Sequence, residues 1–124
     1  MGTSQSKHLV ADFVATVFND HNLEALPKFV DNDRLVQAAR GLVMGNPDLR
    51  LATEHLIAED DLVAIRVTGE GTHSAVWRGV QPTGTTWKAT CNAHYRVANG
   101  RIVEFWVNWD WLSIMQQLGV VSVP

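Results

Sequence analysis

The most informative segment of the chain reads Asn99-Gly100-Arg101-Ile102-Val103-Glu104-Phe105-Trp106. An Asn-Gly pair between two runs of β-branched and aromatic residues is the strongest short signal for a two-residue hairpin turn. Antiparallel strands are therefore predicted over Trp87 to Val97 and Arg101 to Trp109. The apolar periodicity that follows predicts a helix from Asp110 to Leu118, with Gly119 at its C-terminal side.

The residues before this hairpin predict helices followed by further strands. Apolar residues at three- and four-residue steps predict helices over Ser6 to Asn19, Leu23 to Val30 and Leu35 to Val43. Alternating patterns and turn residues predict strands over Arg50 to Ala58, Leu62 to Thr68 and His73 to Val80. Helices first and strands afterwards indicate one α+β domain, residues 1–124, in which a curved, mainly antiparallel sheet wraps the N-terminal helices and forms an apolar pocket.

Composition and charge narrow the possible partners. The 124 residues fit one domain, and 10 basic against 13 acidic residues give a net charge of −3 without any Lys/Arg run, so neither nucleic acid nor a membrane is expected as a partner. Cys91 is the single cysteine, and we see neither a leader segment nor an apolar run of membrane-spanning length, which favours the cytoplasm. His8 and His21 lack metal-ligand spacing. No metal and no cofactor are expected.

Four short motifs occur in order along the C-terminal two thirds of the chain: Gly71-Thr72-His73, Gly79-Val80-Gln81-Pro82-Thr83-Gly84, Tyr95-Arg96-Val97-Ala98-Asn99-Gly100-Arg101-Ile102-Val103-Glu104 and Gln116-Gln117-Leu118-Gly119. This string resembles the SnoaL-like polyketide cyclases of the NTF2-like superfamily. The resemblance implies a cone-shaped α+β domain with a pocket between sheet and helices, no metal, and usually a homodimer. Relatives include cyclases that use aldol chemistry, isomerases, epoxide hydrolases and non-catalytic binding proteins.

The family places its acid and base in the last two strands. Counted from Asn99-Gly100, the family's histidine position falls on Ala93 and its acidic position on Val107. Neither side chain can transfer a proton. This departure favours a binding protein that keeps the pocket without the chemistry.

Hairpin geometry suggests a different proton carrier. With a two-residue turn and no bulge, His94 lies opposite Phe105 and Asn92 opposite Val107, all on one face. The apolar residues of the last strand make that face the concave one, which predicts His94 as the proton carrier and Asn92 as its hydrogen-bonding neighbour. A one-residue bulge would reverse this assignment. Asp110 is a third candidate for the catalytic set, with the N-cap of the last helix as its alternative role.

The remaining candidates concern the ligand and the assembly. The expected ligand is a small, largely apolar, carbonyl-bearing molecule, contacted by His73, Trp77, Phe105, Val107 and Trp109. The leading hypothesis is cofactor-independent acid/base catalysis of the cyclase or isomerase type; the alternatives are a binding domain or epoxide opening by Glu104 or Asp110. A homodimer is predicted through the outer face of the sheet, where Trp106, Asn108 and Tyr95 are expected.

Overall fold

The computed structural model describes residues 2–122. The helices come first: α1 (Thr3–Phe13), which continues as a π-helical segment (Val14–Asn19), a 3₁₀ turn (Leu23–Ala25), α2 (Leu26–Phe29) and α3 (Asp33–Gly45). Four strands follow, β1 (Arg50–Glu59), β2 (Leu62–Thr72), β3 (Thr86–Ala98) and β4 (Arg101–Trp109), and then α4 (Trp111–Gln117). The strands form one antiparallel sheet in the order β1-β2-β3-β4. The predicted α+β class is confirmed.

The helices pack against the inner face of the sheet. Alternate residues of β2 and β3 are buried, so the inner face carries side chains such as Val63, Ile65 and Val97. Phe13 of α1 is fully buried, with its ring centroid 5.8 Å from that of Tyr95 on β3. Burying this inner face against α1 and the π-helical segment supplies the main hydrophobic stabilisation of the domain.

Two asparagine side chains connect helices to the sheet. Asn19 exchanges two hydrogen bonds with the backbone of Leu51 in β1, donating to its carbonyl at 3.0 Å and accepting its N–H at 2.7 Å. Asn32 caps α3 by accepting the N–H groups of Arg34 and Leu35, and its amide also donates to the Val103 carbonyl of β4 at 3.0 Å. The Asn19 bonds fix the end of the π-helical segment against β1, and the Asn32 bonds fix the first turn of α3 against β4.

The predicted hairpin forms, but its strands are out of the predicted register. Asn99 and Gly100 both have positive φ, 53° and 76°, as a type I′ turn requires, and Ala98 pairs with Arg101. Val97 then pairs with Ile102 and Arg96 with Glu104, so that Val103 is an extra residue on β4. This is a β-bulge, which shifts all later pairs by one residue.

The prediction of a strand from His73 to Val80 was wrong. This segment belongs to the β2–β3 loop, residues 73–85, in which the only strand-like contact is a bridge between Trp77 and Val80. The N–H groups of Ser74 and Ala75 donate to the Gly45 carbonyl at the end of α3 instead of to a neighbouring strand. The loop is therefore held across the end of α3.

None of the helices within residues 2–122 is both long enough and apolar enough to cross a membrane.

Candidate ligand pocket

A pocket of about 540 Å³ opens between the inner face of the sheet, α3 and the β2–β3 loop. Its volume lies in the range of small-molecule sites, roughly 300–1,000 Å³. The lining is mostly aliphatic and aromatic, with a few polar groups: Val14, Phe18, Arg34, Leu35, Gln37, Ala38, Ala39, Gly41, Leu42, Leu51, Ile65, Val67, Trp77, Arg78, Cys91, Ala93, Tyr95, Phe105, Val107, Trp109 and Trp111. Among the described residues, no Asp, Glu or His lines it.

The placement predicted for His94 and Asn92 was wrong. Both side chains are exposed on the outer face of the sheet, where His94 pairs with Trp106 and Asn92 with Asn108. The bulge at Val103 is the physical reason, because a one-residue shift exchanges the two faces of a strand relative to its neighbour. His94 therefore cannot carry protons inside the pocket as the unbulged hairpin implied.

The same shift brings positions 93 and 107, to which the resemblance assigns the acid and base, into the pocket. Ala93 pairs with Val107, and Tyr95 pairs with Phe105, all four on the inner face. Positions 93 and 107 are occupied by alanine and valine, and neither side chain can transfer a proton. On β4 the structure agrees with the prediction: Phe105, Val107 and Trp109 line the pocket. Trp77 from the β2–β3 loop lines it as well.

The other candidate residues lie outside the lining. The Asp110 carboxylate accepts the backbone N–H of Ser113 at 3.1 Å and so caps α4, its alternative role. Glu104 is exposed on the outer face, paired with Arg96 at 2.9 Å. Epoxide opening by either carboxylate would need it in the pocket, and neither lines the pocket.

His73 is fully buried at the base of the β2–β3 loop and does not line the pocket. Its Nδ1 accepts the backbone N–H of Thr83 at 3.3 Å and lies 3.0 Å from the Thr83 hydroxyl. Its ring is 6.1 Å from that of Trp77, in an edge-to-face arrangement. This contact places His73 as a support of the loop rather than as a ligand contact.

Tryptophan side chains form one wall of the pocket. The Trp77 and Trp111 ring centroids are 5.4 Å apart, and those of Trp109 and Trp111 are 6.5 Å apart. Behind them Trp87 stacks on Trp77 at 5.3 Å with an interplanar angle of 25°. Such flat, rigid surfaces suit a planar ligand.

Glycine makes room for this wall. A Cβ atom on Gly69 would lie 2.6 Å from Cη2 of Trp109 and 2.9 Å from Cδ2 of Leu51, so that Trp109 can lie across β2 only because position 69 has no side chain. Alternation and turn signals in the sequence do not reveal this role, since the contact joins β2 to the end of β4.

Two neutral acids lie on the inner face of β3. Burial raises the pKa of the Cys91 thiol to about 12. Burial also raises the pKa of the Tyr95 hydroxyl, and the neighbouring Cys91 adds to that shift. Both groups are therefore protonated near neutral pH, and Tyr95 can donate a hydrogen bond to a ligand oxygen without acting as a base.

Arg34 and Arg78 complete the site, and neither is among the residues that the sequence predicted to line it. Arg34 lies on the first turn of α3 and Arg78 in the β2–β3 loop, segments that are far apart in the chain. Nothing in local periodicity brings them to one pocket. No group of three or more His, Cys, Asp or Glu side chains suited to a metal ion occurs within residues 2–122.

Comparisons with known proteins agree with this architecture. A family model described as SnoaL-like polyketide cyclase matches residues 3–118. AclR from Streptomyces galilaeus is 27% identical, with a TM-score of 0.81, and the match covers 97% of this chain and 99% of that one. IdmH from Streptomyces antibioticus is also 27% identical, with a TM-score of 0.75 and coverage of 94% and 99%.

A SnoaL-like polyketide cyclase from Agrobacterium tumefaciens is similar in fold, with 18% identity, a TM-score of 0.75 and coverage of 96% of this chain and 100% of that one. No protein of curated function matches the sequence.

Proposed function

Because this chain belongs to the SnoaL-like polyketide cyclase family, we propose that it binds a small, largely apolar, carbonyl-bearing molecule in the pocket between sheet and helices. The observation that carries this proposal is the pocket itself, about 540 Å³ with mostly apolar walls. Tryptophan rings offer flat contact surfaces, and the neutral hydroxyl of Tyr95 offers a hydrogen bond to a carbonyl oxygen.

The lining supports binding more directly than it supports acid/base turnover. Ala93 and Val107 face each other where the family carries its proton-transfer groups, while Cys91 and Tyr95 are held protonated. Proton abstraction next to a carbonyl needs a base within hydrogen-bond reach of the carbon acid. We therefore propose ligand binding, rather than acid/base catalysis, as the main function of the pocket.

The family match favours cyclisation as a second function. A rigid pocket can accelerate an intramolecular ring closure by holding the reacting carbons together. Binding then removes the conformational freedom that the open ligand would otherwise lose on the way to the transition state. A ring closure that transfers no proton to the protein, such as a cycloaddition in which two new C–C σ bonds replace two π bonds, requires only the shape of the walls and a hydrogen bond to the carbonyl, both of which this pocket offers.

Filling the pocket should weaken ligand binding strongly, whereas a substitution on the opposite face of the sheet should not. We expect Ala93→Phe to weaken binding of the neutral fluorescent ligand N-phenyl-1-naphthylamine by about tenfold or more, since the new ring would occupy the floor of the cavity. The matched control is His94→Phe, the next residue of β3, whose side chain lies on the outer face. Fluorescence titration gives the dissociation constants, and circular dichroism checks that both variants fold.

Equal binding by the wild type and Ala93→Phe would locate the ligand elsewhere and defeat the proposal. So would equal losses in both variants, because the effect would then come from β3 as a whole.

We also propose that the protein is a homodimer formed through the outer face of the sheet. On that face Ile57, Ala64, His94 and Trp106 lie side by side across all four strands, with Ile57 65% and Trp106 45% exposed. Exposed apolar residues grouped in this way are typical of interfaces. Of the three residues assigned outward from the sequence, Trp106 and Asn108 are exposed, whereas the outward assignment of Tyr95 was wrong because the bulge turns it inward.

A charge on this face, at the edge strand β4, should dissociate the dimer. We expect sedimentation velocity to give a dimer for the wild type at micromolar concentration and a monomer for Trp106→Glu, because a carboxylate would be buried without a partner. Val76→Glu serves as the control, since Val76 is 53% exposed in the β2–β3 loop, away from the sheet face. A monomeric wild type would rule the dimer out.

A further inference from the structure

We propose that the pocket selects a flat molecule carrying a negative charge, with Arg34 and Arg78 as the residues that determine this specificity. The chemical class is an aromatic or conjugated ring system bearing a carboxylate, or ionised as a phenolate or enolate. The inference rests on the proposed binding function, and it adds the charge of the ligand and the residues that recognise it.

Arg78 is placed at the pocket with a backbone conformation that arginine rarely adopts. Its φ is +50°, in the left-handed region, and the next residue, Gly79, has φ +78°. The guanidinium lies 4.3 Å from the centroid of the Trp111 ring, which belongs to the tryptophan wall. Strain of this kind tends to persist at functional positions, because the local conformation aims a side chain where it is needed.

Arg34 reaches the same pocket from α3. Asn32 caps the helix and also bonds the Val103 carbonyl at the bulge, so the first turn of α3 is fixed against β4. The Arg34 guanidinium lies 5.8 Å from the centroid of the Phe105 ring, which lines the pocket. Both arginines thus lie against aromatic rings, where they are ready to contact the charged edge of a stacked ligand.

Neither positive charge is neutralised within residues 2–122. Arg66, Arg96 and Arg101 each have a carboxylate partner, at 3.1, 2.9 and 3.7 Å, whereas Arg34 and Arg78 form no ion pair. No carboxylate of the described residues lines the pocket, and both acids on β3 are protonated. Both arginines are solvent-exposed where they meet the pocket, so water and salt partly screen their attraction for an anion, and a modest preference is expected.

The overall charge of the chain makes this inference easy to test. With a net charge of −3, the molecule as a whole repels anions, so any preference for an anionic ligand has to arise locally. Two ligands with the same ring system provide the comparison: 8-anilinonaphthalene-1-sulfonate is anionic, and N-phenyl-1-naphthylamine is neutral. Both report binding by fluorescence.

We expect the wild type to bind the sulfonate more tightly than the neutral ligand. Arg34→Gln and Arg78→Gly should each weaken sulfonate binding about three- to fivefold, and the double variant on the order of tenfold, with neutral-ligand binding changed by less than about twofold. Arg78→Gly keeps the positive φ without strain, so its thermal stability should not fall. Arg78→Lys should retain most of the sulfonate affinity, because it retains the charge.

Arg40→Gln is the matched control on α3, since Arg40 is exposed and does not line the pocket. Raising the salt from about 20 mM to about 500 mM should weaken sulfonate binding in the wild type and change it little in the double variant, because the attraction is screened.

Equal affinity for the two ligands, with no effect of the arginine substitutions, would overturn the charge selectivity and leave the pocket proposal standing. A loss in Arg40→Gln as large as in Arg34→Gln would also overturn it, since the attraction would then be a general surface effect. Failure of both ligands to bind would defeat the proposed function and this inference together.

Discussion

Replacing Gly45 by alanine is expected to lower the free energy of unfolding by about 2–3 kcal/mol and to displace the loop that closes the pocket. A Cβ atom at position 45 would lie 2.6 Å from Cβ and 2.9 Å from Cγ of Trp77. These atoms are next to the backbone of the loop and cannot rotate away. The Ser74 and Ala75 N–H groups, which donate to the Gly45 carbonyl at 3.0 and 3.3 Å, would be pulled out of line.

Gly41→Ala is the control for this substitution. Gly41 lies one helical turn earlier in α3, and no atom lies within 4 Å of a Cβ built there. Alanine should therefore raise the free energy of unfolding by about 0.5–1 kcal/mol, the usual gain from replacing glycine inside a helix. Denaturant unfolding measures both variants. Equal effects at positions 41 and 45 would contradict the close packing of Trp77 on α3.

Asn46→Ala is expected to destabilise the protein by about 3 kcal/mol, because it leaves the buried indole N–H of Trp87 without an acceptor and creates a cavity. Asn46 is fully buried, and its side-chain oxygen accepts the indole N–H of Trp87 at 2.7 Å. Its amide nitrogen donates to the Leu42 carbonyl at 2.9 Å. The residue thus joins the end of α3 to the tryptophan wall of the pocket, and its loss should loosen both.

A double-mutant cycle with Trp87→Phe isolates the hydrogen bond. Phenylalanine removes the indole N–H, so that Asn46→Ala no longer leaves a buried donor unpaired in that background. We expect the double variant to be less destabilised than the sum of the two single variants, by about 1–2 kcal/mol. Strict additivity in urea or thermal unfolding would show that the two side chains are not coupled.

Much of the fold follows from local chemistry that can be read in the chain. Asn99 and Gly100 tolerate the positive φ values of a type I′ turn. Alternation gives β3 a buried inner face and β4 a half-buried one. Asp110 caps the last helix with its own side chain, a contact that spans three residues. The wrong assignment of a strand at His73 has the opposite origin, since the N–H groups that follow it bond the end of α3, far away in the sequence.

The candidate site was predictable for β4 and not for β3. Phe105, Val107 and Trp109 line the pocket as their alternation indicates, but His94 and Asn92 point away from it. The difference is the bulge at Val103, whose carbonyl is bonded by Asn32, 71 residues earlier in the chain. A pattern within the hairpin carries no information about that contact.

The sequence by itself therefore determined the elements: turns, caps and periodicities arise from interactions between residues a few positions apart. Tertiary structure decided which side chains share the pocket. Because side chains alternate with a period of two, one bulged residue was enough to exchange His94 for Ala93 and Tyr95 on the inner face. Arg34 and Arg78 likewise meet at one pocket only after α3 and the β2–β3 loop have packed against the sheet, which no local pattern encodes.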